Sequence, residues 1–183
     1  DQVSPCLRCM ACISESFVPY VRYCSRIRRC PSNPTAYKEI PASQVKKAEQ
    51  PKKVLVIGGG PSGMEAAAEL AERGHHVILC ERENELGGAM RHAKYVPFKQ
   101  KVDQLMHVMI RRLERSGAEI RLHTAATPAL VESLHPDVIV AALGAKAKKP
   151  EVAGAERAII AEDALRRIDS LGQNVAIVGG GLV

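Results

Sequence analysis

Five of the six cysteines lie within the first 30 residues, and three are spaced as C-x2-C-x2-C, at Cys6, Cys9 and Cys12. Three thiolates so close together cannot easily satisfy separate partners, but they can bind three irons of one [4Fe–4S] cluster. The fourth ligand must come from further along the chain, from Cys24 or Cys30. A four-thiolate zinc site is the alternative, although zinc usually pairs C-x2-C with a distant second pair. No secretory signal accompanies the cysteines, which disfavours a disulfide framework.

A glycine-rich loop follows in the stretch "KVLVIGGGPSGMEAAAEL". Gly58 allows a tight turn, Gly60 lets the backbone approach a pyrophosphate, and Gly63 lets a helix pack on a strand. Pro61 and Ser62 begin that helix, whose amino terminus offers free N–H groups and a partial positive charge to phosphates. The loop therefore predicts a dinucleotide site.

An acidic residue and a second glycine pair complete this predicted site. Glu81 stands 23 positions after Gly58, where a carboxylate can accept both hydroxyls of an adenosine ribose. It would repel a 2′-phosphate, so FAD, ADP or NAD is expected rather than NADP. Arg82 directly follows the acid, and Gly87 and Gly88 form a second small-residue approach six residues after it.

The elements that must position these residues alternate between strands and helices, which predicts an α/β fold with a parallel, Rossmann-like sheet. "KVLVI" is a continuous apolar run, as expected for a buried parallel strand. In the second long helix, the apolar residues from Val102 to Leu113 lie on one stripe, so its methionines are expected in the core. The predicted elements are, in order, "KVLVI", helix 61–73, "HVILC", helix 99–116, "EIRLH", a helical piece at 128–134 and "DVIVAAL".

Five segments are expected along the chain. Residues 1–33 form a small irregular iron–sulfur segment, 34–51 a linker, and 52–150 the FAD (or ADP) domain. Residues 151–172 form a connector. Residues 173–183, which include "NVAIVGGGLV", repeat the pattern of an apolar strand and a glycine loop, with Gly179 and Gly181 as its first two glycines. This last segment predicts the start of a second, truncated dinucleotide domain, for NAD(P)H.

The ordered combination of the cysteine triplet, "CPSNPTAYKE", a linker and "VLVIGGGPSGMEAA…ER…ELGG" resembles one family. It is similar to the multidomain branch of the old yellow enzymes, which includes bacterial 2,4-dienoyl-CoA reductase and the trimethylamine and histamine dehydrogenases. The resemblance extends from Cys6 to Val183. In "DVIVAALGAKAKKP", Ala142 and Gly144 resemble the family's "ATG" turn near the cofactor, with Leu143 in place of Thr.

The resemblance implies that an FMN-binding barrel precedes this chain and that the rest of an NAD(P)H domain follows it. Electrons would pass from NAD(P)H through FAD and the [4Fe–4S] cluster to FMN, for reduction of an activated C=C bond in a small-molecule substrate. No catalytic acid or base is then expected in this chain. The family's usual gap before the last cysteine fits Cys24, whereas the "CPSNP" context favours Cys30, which we prefer.

The same residues are compatible with other interpretations. An amine dehydrogenase of the same family would hold ADP in the nucleotide site, and a zinc-stabilised nucleotide-binding module would carry no redox chemistry. The small subunit of glutamate synthase also pairs cysteine clusters with "GGGPxG", but it fits less well.

We expect a cytoplasmic protein that does not bind nucleic acid or membranes, despite a formal charge of +6, and that is compatible with homo-oligomerisation. Cys80 is expected to be a small buried residue, and Arg111, Arg112 and Arg115 a solvated face.

Overall fold

A computed structural model describes residues 4–12, 30–36 and 46–180. A four-stranded parallel sheet forms its centre, with the strand order β3-β2-β1-β4. The strands are β1 (Lys53–Ile57), β2 (His76–Cys80), β3 (Glu119–Arg121) and β4 (Val138–Ala141). The predicted α/β fold with a parallel sheet is therefore confirmed.

The helices that accompany the sheet in residues 46–180 are α1 (Pro61–Glu72), α2 (Gln100–Ser116), α3 (Pro128–Leu134) and α4 (Ala161–Arg166). The bounds of the first three lie within one residue of those predicted. Proline at the first position suits the start of α1 and of α3, because its missing N–H would have no partner there. Short 3-10 segments occur at Gly88–Tyr95, Pro97–Lys99, Ala155–Arg157 and Ile168–Ser170.

The core covers both faces of the sheet, which explains why the two central strands are apolar at every position after the first. Val54 and Val56 of β1 face α1 and α2, whereas Leu55 between them faces α3. Cys80 belongs to the α3 side and is buried, as predicted; burial raises the pKa of its thiol. The first face contains Val54, Val56, Met64, Ala67, Ala68, Val77, Leu79, Leu86, Leu105, Met106 and Leu113.

Arg112 corrects one expectation, because it does not belong to a solvated face. Its guanidinium lies 2.6 Å from Glu65, 3.1 Å from Glu69 and 2.7 Å from Glu72. These three acids follow one side of α1 at helical spacing, so one arginine of α2 holds two helices together. The hydrogen bonds that Arg112 donates to Glu72 are the main cause of the raised pKa of Arg112.

We expect Arg112→Ala to lower the free energy of unfolding by about 1–2 kcal/mol, since it leaves three half-exposed carboxylates side by side. Urea unfolding monitored by circular dichroism measures this loss. Arg115→Ala, on the exposed side of the same helix, is the matched control and is expected to change stability by less than about 0.5 kcal/mol. Equal stability of the two variants would contradict the bridging role.

The segment that was predicted to open a second domain makes no strand pairing within the described residues. Residues 174–180 have no ladder partner, and the side chain of Ile177 is 84% exposed. A parallel strand exists only beside a second strand that accepts and donates its backbone hydrogen bonds. The predicted strand is therefore not formed here, and the domain it was to open stays a prediction. Gly181 lies outside the described residues.

In the part of the chain that the structure describes, no helix is both long and apolar enough to cross a lipid bilayer.

Candidate functional site

The end of β1 turns sharply at Gly58, as the sequence predicted. Gly58 has a φ of +106°, and its N–H donates to the carbonyl of Cys80 at 2.8 Å. A Cβ on Gly58 would overlap the carbonyl oxygen of Ala142, and a Cβ on Gly63 would overlap the carbonyl oxygen of Gly58. Both positions must therefore be glycine because the protein's own backbone fills the space.

Gly60 is not restricted by contacts of this kind. Its φ of −73° is open to any residue, and a Cβ there would find no heavy atom closer than Gly88 Cα, at 4.0 Å. Gly60 is the N-cap of α1, where no side chain caps the helix and no acidic residue lies in the first turn. The first N–H groups of a helix lack partners within it. Packing within the protein thus does not require glycine here, and the amino terminus is open to an anion.

Glu81 lies beside this turn at the end of β2 and is only 7% exposed. Gly59 donates its N–H to Oε2 at 2.6 Å, and Glu83 donates its N–H to Oε1 at 2.9 Å. Each oxygen retains the capacity to accept another hydrogen bond. The carboxylate is therefore fixed in place and still able to receive a pair of hydroxyl donors.

Gly59 is a residue that the sequence interpretation missed. A Cβ on Gly59 would lie 2.5 Å from Leu86 Cδ2 and 3.1 Å from Glu81 Oε2. A side chain there would displace the end of the Leu86 side chain and crowd the Glu81 carboxylate. The middle glycine of the "GGG" run was the signal available, but the motif treats that position as variable.

The structure brings the two predicted glycine segments together. Gly87 has a φ of +108° and donates its N–H to the carbonyl of Gly59 at 2.8 Å. Gly88 has a φ of +53°, and a Cβ on it would lie 3.1 Å from Gly60 Cα. The turn at residues 85–88 therefore forms a wall beside the amino terminus of α1.

The remaining predicted nucleotide residues differ in their placement. Ala142 donates its N–H to the carbonyl of Ile57 at 2.8 Å and abuts the Gly58 turn, whereas Gly144 faces open space with a φ of +69°. Arg82 is exposed and pairs with Glu83 at 3.2 Å, so its side chain is not held at the loop. Gly179 has a φ of +107° and open space around it.

The cysteine segment packs beside this domain through Leu7, which contacts the α1–α2 side of the core. Cys6 and Cys9 are exposed, Cys12 and Cys30 are half-buried, and all four are free thiols. Within residues 4–12, 30–36 and 46–180, no three His, Cys, Asp or Glu side chains form a group that could hold a metal ion. The donor set fits an iron–sulfur site by type, and the predicted ligands stay a prediction.

Cys30 is the more informative of the two candidates for the fourth ligand, since Cys24 lies outside the described residues. The Cys30 Sγ lies 3.3 Å from the hydroxyl of the buried Ser32. Hydrogen bonding with this hydroxyl, and with the backbone at Ser32 and Asn33, lowers the pKa of the Cys30 thiol although burial opposes the shift. The surroundings therefore favour the thiolate, which is the form that binds metals.

A polar cavity of about 180 Å³, which the sequence did not signal, lies beside the second glycine turn. Its buried His92 faces Arg166 of α4, with ring nitrogens and guanidinium nitrogens 3.4 Å apart. Burial, followed by the charge of Arg166, lowers the pKa of His92. The lining residues are Glu83, Asn84, Glu85, Arg91, His92, Lys94, Tyr95 and Arg166.

Comparison with known proteins matches residues 53–166 to the model of one family, the FAD dependent oxidoreductases. The chain is 35% identical to an NADH oxidase of Thermoanaerobacter brockii and 36% identical to a cinnamate reductase of Clostridium sporogenes, in each case over its whole length. It spans 28% and 27% of these two relatives.

Among solved structures, a 6-hydroxypseudooxynicotine amine oxidase from Pseudomonas geniculata N1 superposes with a TM-score of 0.70 at 29% identity. The match covers 83% of this chain and 23% of that one. The chain thus spans about a quarter of each of these three proteins. The resemblance to multidomain flavoprotein oxidoreductases that the motifs indicated is confirmed.

Proposed function

The chain belongs to the FAD dependent oxidoreductase family, and from this premise we propose that it is the electron-transfer portion of an iron–sulfur flavoprotein. In this proposal electrons pass from NAD(P)H through FAD and a [4Fe–4S] cluster to FMN, for reduction of an activated C=C bond. The similarity to proteins named NADH oxidase and cinnamate reductase supports both ends of that route.

The observation that carries the nucleotide site is Gly60. Gly58 and Gly63 are required by contacts with the protein's own backbone, and a Cβ on Gly59 would crowd the side chains of Leu86 and Glu81, but Gly60 has no such contacts. The open space over Gly60 adjoins the uncapped amino terminus of α1, which favours negative charge. A pyrophosphate is the ligand that would occupy this space.

The neighbouring residues would orient the rest of the nucleotide. Glu81 would accept the two ribose hydroxyls through the free lone pairs of its fixed carboxylate. The same negative charge would repel a 2′-phosphate, so FAD or ADP is expected in preference to NADP(H). Gly87 and Gly88 would bound the pyrophosphate on the side opposite α1.

The cluster would be held by Cys6, Cys9, Cys12 and Cys30. The spacing of the first three suits a [4Fe–4S] cluster, and the hydrogen bonds around Cys30 favour its thiolate. The FMN barrel and most of the NAD(P)H domain would belong to the complete protein outside this chain. The cytoplasm stays the predicted location.

Replacing Cys30 and Cys24 in turn tests which of the two cysteines is the fourth ligand of the cluster. We expect Cys30→Ser to reduce iron, measured per chain after anaerobic purification, from about four to less than half of that. Cys24→Ser is the matched control and is expected to keep wild-type iron and the visible absorption of the cluster. Loss of iron in Cys24→Ser but not in Cys30→Ser would identify Cys24 as the fourth ligand.

Cofactor analysis of the complete protein tests the whole proposal. Anaerobic protein is expected to contain about four irons and four sulfides, with FAD and FMN both released on denaturation. NAD(P)H oxidation with α,β-unsaturated acceptors would then follow as the activity assay. One zinc without iron would overturn the electron-transfer proposal and indicate a zinc-stabilised nucleotide-binding module.

An amine dehydrogenase is the second candidate, favoured by the likeness to the Pseudomonas amine oxidase. In that case the site around Gly60 and Glu81 would hold ADP, and electrons would run outward from an amine. The same analysis separates the two candidates, because ADP and FMN without FAD would support the dehydrogenase.

A further inference from the structure

Arg91 ties together the two ends of the second glycine turn. Its Nε donates to the carbonyl of Gly88 at 3.1 Å, and its Nη1 approaches the carbonyl of Glu85 at 3.4 Å. The same Nη1 lies 2.9 Å from the Glu85 carboxylate, and the Arg91 side chain is only 15% exposed. One guanidinium therefore bridges the first and last residues of the segment 85–88.

The aliphatic part of Arg91 also fixes this turn. A Cβ on Gly87 would lie 2.8 Å from Arg91 Cγ, so the arginine stem packs directly over the Gly87 backbone. Gly87 and Gly88 both have positive φ values, and glycine reaches many other conformations at little energy. Contacts from outside the pair must therefore select the observed turn, and Arg91 supplies hydrogen bonds to Gly88 and Glu85 and a packing contact over Gly87.

The position of the turn matters because its inner side faces the proposed pyrophosphate site. Gly87 donates to Gly59, and the Cα of Gly88 lies against Gly60. Movement of the turn by about 1 Å would widen or close the space over the amino terminus of α1, and errors of that size have large effects on ligand placement.

We propose that Arg91 is a positioning residue that holds the Gly87–Gly88 turn against Gly60 and thereby sets nucleotide affinity. The inference rests on the proposed nucleotide site. It assigns the effect to hydrogen-bond geometry rather than to charge, because the Glu85 carboxylate already balances the guanidinium. Lysine keeps the charge but lacks the planar fork that reaches both carbonyls.

The first measurement follows the turn itself in nucleotide-free complete protein. Arg91→Ala and Arg91→Lys are both expected to speed amide hydrogen exchange roughly tenfold at Gly87, whose N–H is bonded to Gly59. Arg115→Ala, on the exposed side of α2, is expected to leave exchange there unchanged. Wild-type protection of the Gly87 amide in Arg91→Ala would overturn the inference, whether or not a nucleotide binds.

The second measurement is ADP affinity by calorimetry. Both Arg91 variants are expected to bind ADP roughly tenfold more weakly, a loss typical of removing a group that orients binding residues. Arg112→Ala, which destabilises the protein away from this turn, is expected to bind ADP normally and so excludes a general stability effect. Full rescue by Arg91→Lys would overturn the positioning role in favour of charge. Failure of the wild type to bind ADP or FAD would instead refute the proposed function, while the exchange data would still decide the role of Arg91 in the turn.

Discussion

Gly63→Ala is expected to lower the free energy of unfolding by more than about 3 kcal/mol, a loss that only a few mechanisms produce. A Cβ at Gly63 would overlap the Gly58 carbonyl oxygen and approach the Cβ of Ala142 to 3.3 Å. Neither backbone can retreat, because Gly58 and Ala142 are both hydrogen-bonded to the ends of strands. Helix α1 would have to move away from the sheet.

The expected loss of stability in Gly63→Ala distinguishes packing from helix propensity, because helix propensity alone predicts a gain. Gly63 lies inside α1, where alanine is ordinarily favoured over glycine by about 1 kcal/mol. Gly172→Ala is the control for a glycine with open space and an ordinary φ, and it is expected to be nearly neutral. Gly74→Ala adds a positive φ of +92° without a clash, with an expected loss of about 1 kcal/mol. Chemical denaturation ranks the three variants, and a stable Gly63→Ala protein would refute the close packing at this position.

The sequence predicted the regular elements well because local patterns dictate them. The continuous apolar run of β1 follows from burial on both faces, and the apolar stripe of α2 follows from packing one side of a helix on the sheet. The glycine loop was predicted equally well, since Gly58 and Gly63 are required by backbone geometry that no other residue satisfies. Such requirements can be recognised from a few neighbouring residues in the sequence.

The features that could not be predicted from the sequence depend on contacts between residues that are distant along the chain. Arg112 was expected in solvent, yet the acids that bind it lie 40 to 47 positions earlier, on another helix. The contact of Gly87 with Gly59, and the hold of Arg91 on that turn, likewise appear only after the chain folds. An apolar run such as residues 174–178 reads as a strand, but pairing requires a neighbour that periodicity cannot provide.

Gly60→Ala is expected to give the opposite result to Gly63→Ala: a folded protein that has lost its nucleotide. Its φ of −73° suits alanine, and the added Cβ would lie 4.0 Å from the Gly88 Cα, an ordinary contact distance. The loss of stability without ligand should not exceed about 1 kcal/mol, the difference between glycine and alanine at an N-cap.

The methyl group of Gly60→Ala is expected to weaken nucleotide binding, because it would occupy the space through which a pyrophosphate approaches the N–H groups of α1. We expect ADP affinity to fall roughly 100-fold, equivalent to about 2.7 kcal/mol, and purified protein to lose most of its FAD. Calorimetry with ADP and flavin content per chain measure the two effects. Gly172→Ala is again the control, with normal binding expected. If Gly60→Ala instead bound ADP as well as the wild type, neither internal packing nor a ligand would require glycine at this position of the loop. The case for a dinucleotide at the amino terminus of α1 would then fail, although the fold and its packing would stand unchanged.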